Sequence, residues 1–197
     1  MNVSRETRER LEHYVAQLLK WNKRINLVSK STVEQVWDRH ILDSLQVFDL
    51  VDDPKDWTDI GSGGGLPGLV VAVCALEKFP EMHTTLIESD QRKSAFCRSI
   101  ARDLSLNVSI KTERIEAADP QGAHILSARA LAPLDMLLSF TERHRAPDGT
   151  ALFLKGQNWQ AEVNESLASW SFKFEKIVSK TEPSAVILKI GEIQRVQ

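Results

Sequence analysis

The sequence predicts an α/β protein: a doubly wound, mostly parallel sheet, closed by an antiparallel C-terminal hairpin and preceded by a helical extension. Three observations predict it. From Trp57 onward, short β-prone runs alternate with segments of helical period, the pattern of right-handed strand–helix–strand crossovers. The last two β-prone runs are joined only by Ser179 to Ser184, which allows a hairpin but not a crossover helix. Before Trp57 the apolar period is helical throughout.

In chain order, Leu11, Val15, Leu18 and Leu19 recur at helical spacing and predict an amphipathic helix from about Arg5 to Lys23. Ser31-Thr32-Val33-Glu34 reads as a capping box, opening a second helix whose stripe continues through Val36, Trp37, Ile41 and Leu45. Residues 1–50 are therefore expected to be a helical extension packed on a core domain spanning 51–197, because helices this short cannot bury their apolar faces alone. Strands are expected at Trp57–Ile60, Thr84–Glu88, Val108–Lys111, His124–Ala128, Thr150–Lys155, Phe172–Val178 and Ala185–Ile190. Helices are expected at Pro67–Lys78, Asp90–Leu104, Pro133–His144 and Trp159–Trp170.

Between the first strand and the helix after it lies Asp59-Ile60-Gly61-Ser62-Gly63-Gly64-Gly65-Leu66-Pro67-Gly68, which holds five of the nine glycines in the chain. Glycine loses more backbone entropy on ordering than any other residue. Such a cluster points to a ligand pressed against main chain. A dinucleotide fingerprint would place glycine at the sixth position, where this chain has Leu66. Glu88 ends the second strand, 23 residues after Gly65. A carboxylate there can accept hydrogen bonds from both hydroxyls of a ribose; the alternative is a strand-end acid in solvent.

Composition narrows the function. Net charge is −2, so the chain as a whole does not advertise nucleic-acid binding, although residues 1–30 carry seven Lys/Arg against three Asp/Glu. No apolar run approaches the roughly 18–20 residues of a membrane span, and Met1 to Glu6 contain no apolar signal core. Cys74 and Cys97 lie within apolar helical patterns without metal-ligand spacing; two reduced thiols, no metal and a cytoplasmic location are expected. Nothing in the pattern calls for an obligate oligomer, so a monomer is expected.

Asp59 two residues before the first glycine gives acidic-x-Gly-x-Gly-x-Gly, a form that resembles the first motif of S-adenosylmethionine-dependent methyltransferases. Further blocks occur in the order of one family: Tyr14, Leu18-Leu19, Trp21-Asn22, Asn26-Leu27, His40 and Asp43-Ser44-Leu45; then Gly61 through Gly68; then Glu88-Ser89, Arg92-Lys93 and Phe96; then Arg114-Ile115-Glu116, Arg129-Ala130, Pro133-Leu134 and Lys155-Gly156. This resembles the bacterial 16S ribosomal RNA guanine-N7 methyltransferases, also called glucose-inhibited division protein B, from about Tyr14 to Gly156. The resemblance implies a Rossmann-like class I methyltransferase sheet, S-adenosyl-L-methionine as cofactor, and 16S ribosomal RNA of the small subunit as partner. It places cofactor contacts on Gly61, Leu66, Ile115, Glu116 and Arg129, to which the reading of the turn and the strand end adds Gly63 and Glu88. Departures are His124 where the family often has an acid and Ala128 where it often has serine.

Guanine N7 has a lone pair and no proton, so its methylation needs no general base, and no catalytic dyad is visible. Positioning is expected to fall to Arg129 and Lys155. Alternatives stay open for several residues: Ile115 as plain core, Lys155 as a snorkelling strand-end lysine, Arg129 as a contact to cofactor or to RNA. Arg92 and Lys93 read as a solvated face, and His40 as a buried histidine anchoring the N-terminal helices. A methyltransferase for a small molecule or protein, an NAD-dependent oxidoreductase and a non-catalytic nucleotide-binding module are the competing functions.

Overall fold

The computed structural model describes residues 3–196. Seven strands form one sheet: β1 (Asp56–Ile60), β2 (His83–Ile87), β3 (Val108–Lys111), β4 (Ala123–Arg129), β5 (Arg145–Lys155), β6 (Trp170–Val178) and β7 (Val186–Arg195). Their spatial order is β3-β2-β1-β4-β5-β7-β6. The first five pair in parallel; β7 runs antiparallel to both β5 and β6. This is the expected parallel sheet with its closing hairpin. The chain winds outward from β1 to β3 and returns to lay β4 on the other side of β1. That reversal is the topological switch point, where a crevice opens outside the carboxyl ends of the strands.

The alternation along each strand explains the layers. Trp57, Leu86, Ile125, Leu152 and Ile187 enter one core, and their neighbours Ile60, Ile87, Leu126, Phe153 and Leu188 enter the other. The first core is covered by α1 (Arg5–Asn22), α2 (Asp43–Phe48), α3 (Gly68–Lys78) and α4 (Gln91–Asp103). The second is covered by α5 (Leu134–His144) and α6 (Trp159–Ser166). Helix α3 is buried from Gly68 to Ala75, because it lies under α1, α2 and α4 as well as on the sheet. Helix α1 contributes Leu11, Tyr14, Val15 and Leu18 to that same core. Among the described residues no helix is long and apolar enough to cross a membrane.

The structure corrects the reading of 31–50. No capping box forms at Ser31. Lys30–Gln35 is a 3-10 helix and Trp37–Leu42 a π-helical turn that leads into α2. Here the hydroxyls bond one another in place of the helix backbone: Ser29 Oγ reaches both Ser31 Oγ and Thr32 Oγ1. Such local side-chain bonds compete with regular helix. Boundaries also move. Helix α6 stops at Ser166 because Trp170 enters β6, with its indole N–H donating to Asp135 Oδ1 at 2.8 Å. Strand β5 begins at Arg145 and β7 runs on to Arg195.

Tyr14 ties the helical extension to the glycine turn. It is the one tyrosine in the chain, is fully buried, and donates to the Gly64 carbonyl at 2.7 Å. Tyr14→Phe leaves a buried acceptor unpaired, which costs about 1–3 kcal/mol. Urea unfolding is expected to show that loss; an unchanged midpoint would mean the bond is dispensable.

Candidate functional site

The glycine turn follows β1 and opens α3 at the switch point. Its first two amides, Gly61 and Ser62, donate to the Ile87 carbonyl of β2 at 2.8 and 3.2 Å, so the turn is sewn to the neighbouring strand. Gly61, Gly63 and Gly65 all take positive φ, the region glycine enters without steric cost. At Gly63 a Cβ would meet no atom closer than 4.0 Å; the missing side chain is space left open to the cleft. At Gly68 a Cβ would lie 2.9 Å from Asp59 Cβ, so glycine there allows helix α3 to seat on β1.

Asp59 lies beneath the turn rather than in the cleft. Its Oδ2 accepts from the Gly68 amide at 3.1 Å and its Oδ1 from Ser127 Oγ at 2.8 Å. Ser127 in turn accepts from the Trp57 indole at 2.8 Å. Glu88 is the opposite case. It is buried, accepts from the Gly63 amide with Oε2 at 2.8 Å, and accepts from the Asp90 amide with Oε1 at 2.7 Å. It is not a solvated strand-end acid. Two amides fix its plane against the cleft, and each oxygen keeps acceptor capacity.

The cleft encloses about 460 Å³ and is lined by Gly61, Gly63, Leu66, Glu88, Ile115 and Glu116, with Arg129 at its far side. That size is within the range of small-ligand sites. All seven residues expected to hold the cofactor therefore meet in one cavity. Ile115 is both core and wall: it is 8% exposed and packs in the second hydrophobic cluster. Its turn is held from behind by α5. His144 Nε2 donates to the Ile115 carbonyl at 2.9 Å, and Arg143 donates twice to the Ala118 carbonyl. No motif announced these supports; the basic end of an amphipathic helix was the only sign.

Arg129 ends β4 and lines a second cavity as well, of about 270 Å³, with Arg39, His40, Asp43, Lys155 and Thr181 around it. Its Nη1 donates to His40 Nδ1 at 2.8 Å and to the Arg39 carbonyl at 3.5 Å. Its Nε is buried with no partner among the described residues. Lys155 is not free. It pairs with Glu162 at 2.5 Å and donates to the Ala132 carbonyl at 2.9 Å. Glu162 also accepts from the Leu134 amide at 2.8 Å. Lys155 thus holds the loop between β4 and α5 that forms one wall of both cavities. Arg92 and Lys93 open α4; Arg92 is exposed as expected, whereas Lys93 is half-buried and lines the cleft. His124 lies at the amino end of β4, where its backbone N–H donates to Asp56 Oδ1, so that departure falls at the end of the sheet away from the cleft.

A family model described as GidB, rRNA small subunit methyltransferase G, matches residues 7–187. The chain belongs to this family. A relative from Ruegeria sp. (strain TM1040), named Ribosomal RNA small subunit methyltransferase G, is 53% identical over 196 residues, covering 100% of this chain and 96% of that protein. Among solved structures, the 16S rRNA methylase RmtB superposes with a TM-score of 0.60 at 17% identity, covering 93% of this chain and 74% of that one. TYW2 of M. jannaschii, crystallised with AdoMet, superposes with a TM-score of 0.60 at 11% identity over 88% of this chain and 80% of that one. At such identities the two structures show a shared fold.

In this chain, burial sets the charge states around the turn. Desolvation pushes the Asp59 carboxyl up to about 6, against the opposing bonds from Ser127, Ser62 and Gly68. Desolvation also lowers His40 to about 4, helped by Arg129 and Arg39. Burial drives the Cys97 thiol far up, which leaves it an unreactive neighbour of the turn. Asp59 gives a pH signature. Its carboxyl binds a proton more tightly folded than unfolded, where it titrates near about 4. Its contribution therefore weakens stability as pH rises from about 4 to about 6, then levels off. The stability of Asp59→Asn relative to wild type is expected to rise across that window. A difference that stays flat from pH 4 to pH 7 would contradict it.

Proposed function

We propose that the chain transfers a methyl group from S-adenosyl-L-methionine to N7 of a guanine in 16S ribosomal RNA. The observation that carries this is Arg129, one guanidinium walling two adjacent cavities at the switch point. The first cavity is the cofactor site and the second receives the acceptor base. In this reading residues 51–197 are the methyltransferase domain, and residues 1–50 an extension that braces the turn and helps close the acceptor cavity.

The residues present fit the cofactor. Glu88, already fixed by two amides, takes the ribose hydroxyls. Ile115 packs on the adenine, with Glu116 at its rim and Leu66 across the cleft. The open space at Gly63 admits the backbone contact, while Gly61 leaves room for Leu131 against the turn. With Nη1 occupied, the Nε and Nη2 edge of Arg129 remains as a planar fork, the shape that matches a carboxylate. When bound, the cofactor supplies an activated methyl group on sulfur. The chain's own task is alignment. N7 needs no proton removed, so Arg129 and the loop held by Lys155 act by holding the acceptor in line; oriented proximity can supply on the order of 7–11 kcal/mol.

The RNA side is local. Lys20, Lys23, Arg24 and Lys30 are exposed on either side of Leu27, which lines the cleft. They form a phosphate-facing rim on a chain of net charge −2. The folded small subunit then supplies shape, and a cytoplasmic monomer is the working form.

The test is methyl-labelled cofactor with small subunits, or naked 16S ribosomal RNA, from cells lacking the enzyme. Label should appear at a single guanine N7, cleavable by borohydride and aniline. Transfer to no form of the RNA would sink the proposal. Gly63→Val strains a position held at positive φ and should lower the unfolding midpoint, but its Cβ meets no protein atom closer than 4.0 Å, so the variant that remains folded should have lost cofactor binding. Wild-type affinity in that variant would mean the turn is not the site.

A further inference from the structure

We propose that His40 is a positioning residue: its Nδ1 fixes Nη1 of Arg129 and so leaves the Nε–Nη2 edge of the guanidinium free for the carboxylate of the cofactor's amino-acid tail. This rests on the reading of the first cavity as the S-adenosylmethionine site.

The hydrogen bonds determine the tautomer. An arginine nitrogen can only donate, so the 2.8 Å contact between Arg129 Nη1 and His40 Nδ1 makes Nδ1 an acceptor. The ring is then neutral, with its proton on Nε2, which donates to Thr32 Oγ1 at 2.8 Å. Thr32 Oγ1 in turn donates to the Ser29 carbonyl at 3.1 Å. The chain of bonds has one direction, from Arg129 through His40 and Thr32 to backbone. A charged imidazolium has no acceptor to offer, and the lowered proton affinity of the buried ring agrees with the neutral form.

The local fold serves this contact. The π-helical turn Trp37–Leu42 carries His40, and π-helical turns recur at functional sites. Its Arg39 carbonyl is the second acceptor for Nη1, at 3.5 Å. Ser44 Oγ donates to the His40 carbonyl at 2.7 Å and steadies the turn. Both acceptors lie on the same nitrogen of Arg129. What stays unpaired is the edge bearing the buried Nε, and an unpaired buried donor is a cost that a bound carboxylate removes.

Histidine offers two contacts that substitution can separate. Asparagine Oδ1 lies the same number of bonds from Cα as Nδ1, and glutamine's terminal atoms match Nε2. His40→Asn therefore keeps the acceptor for Arg129 and drops the Thr32 contact; His40→Gln does the reverse. Titrate each variant by calorimetry with S-adenosylhomocysteine, which has the carboxylate, and with 5′-methylthioadenosine, which lacks the tail. Loss of the oriented fork should weaken S-adenosylhomocysteine about tenfold in His40→Gln and His40→Ala, with His40→Asn remaining within about twofold of wild type. Methylthioadenosine should bind all variants alike. In an Arg129→Ala background, His40→Ala should add no further loss. If glutamine rescues and asparagine does not, or both ligands weaken equally, or the losses at 40 and 129 multiply, then His40 is only an anchor of the N-terminal segment. Should wild type bind neither ligand, the cofactor reading itself fails; wild-type binding with all His40 variants equal to it refutes only the role of His40.

Discussion

The structure depends on a left-handed backbone turn whose own hydrogen bonds, from the Gly65 and Leu66 amides to the Ser62 carbonyl, are reinforced by buried side chains. Gly61, Gly63 and Gly65 adopt positive φ in alternation, and three glycines in so short a span are entropically costly to order. The turn is held from three sides by groups from three elements. Asp59 grips Gly68 from β1, Glu88 grips Gly63 from the end of β2, and Tyr14 of α1 grips the Gly64 carbonyl. All three are buried, where a bond is stronger and its loss more costly than at the surface. The cleft is therefore shaped before any ligand arrives, and the helical extension is part of what shapes it.

Arg129 extends that constraint to the acceptor side. A buried guanidinium in desolvating surroundings is unfavourable, and burial lowers its proton affinity. The fold keeps it by giving Nη1 two acceptors and leaving the other edge for a ligand. The same division of labour recurs at Lys155. Expected as a substrate-facing cation, it is committed to Glu162 and to the loop carbonyl at Ala132. Its charge is spent on the wall of the site, with 9% of its side chain exposed. Alignment chemistry needs rigid walls more than free charges, and this arrangement supplies them.

Much of this was legible in the sequence because period and punctuation survive tertiary packing. The strand–helix alternation, the short loop between Ser179 and Ser184 and the glycine cluster each read correctly. Glu88, weighed as a cleft acid against a solvated strand-end one, is buried and lines the cleft. Residues 31–50 are helical as expected, but the apolar stripe carried no sign of their 3-10 and π winding, nor of the hydroxyl bonds among Ser29, Ser31 and Thr32 that stand where a capping box was expected. Tyr14, His144 and Arg143 were illegible as supports. Their partners are backbone carbonyls far along the chain, which leave no trace in composition or spacing.

The most direct measurement is a crystal structure of the chain with S-adenosylhomocysteine. The account predicts both ribose hydroxyls within hydrogen-bond distance of Glu88, the tail carboxylate on the free edge of Arg129, and a glycine turn that moves by less than about 1 Å. A ligand seated away from Glu88, or a turn rebuilt around it, would contradict the claim that buried bonds from Asp59, Glu88 and Tyr14 shape the site in advance.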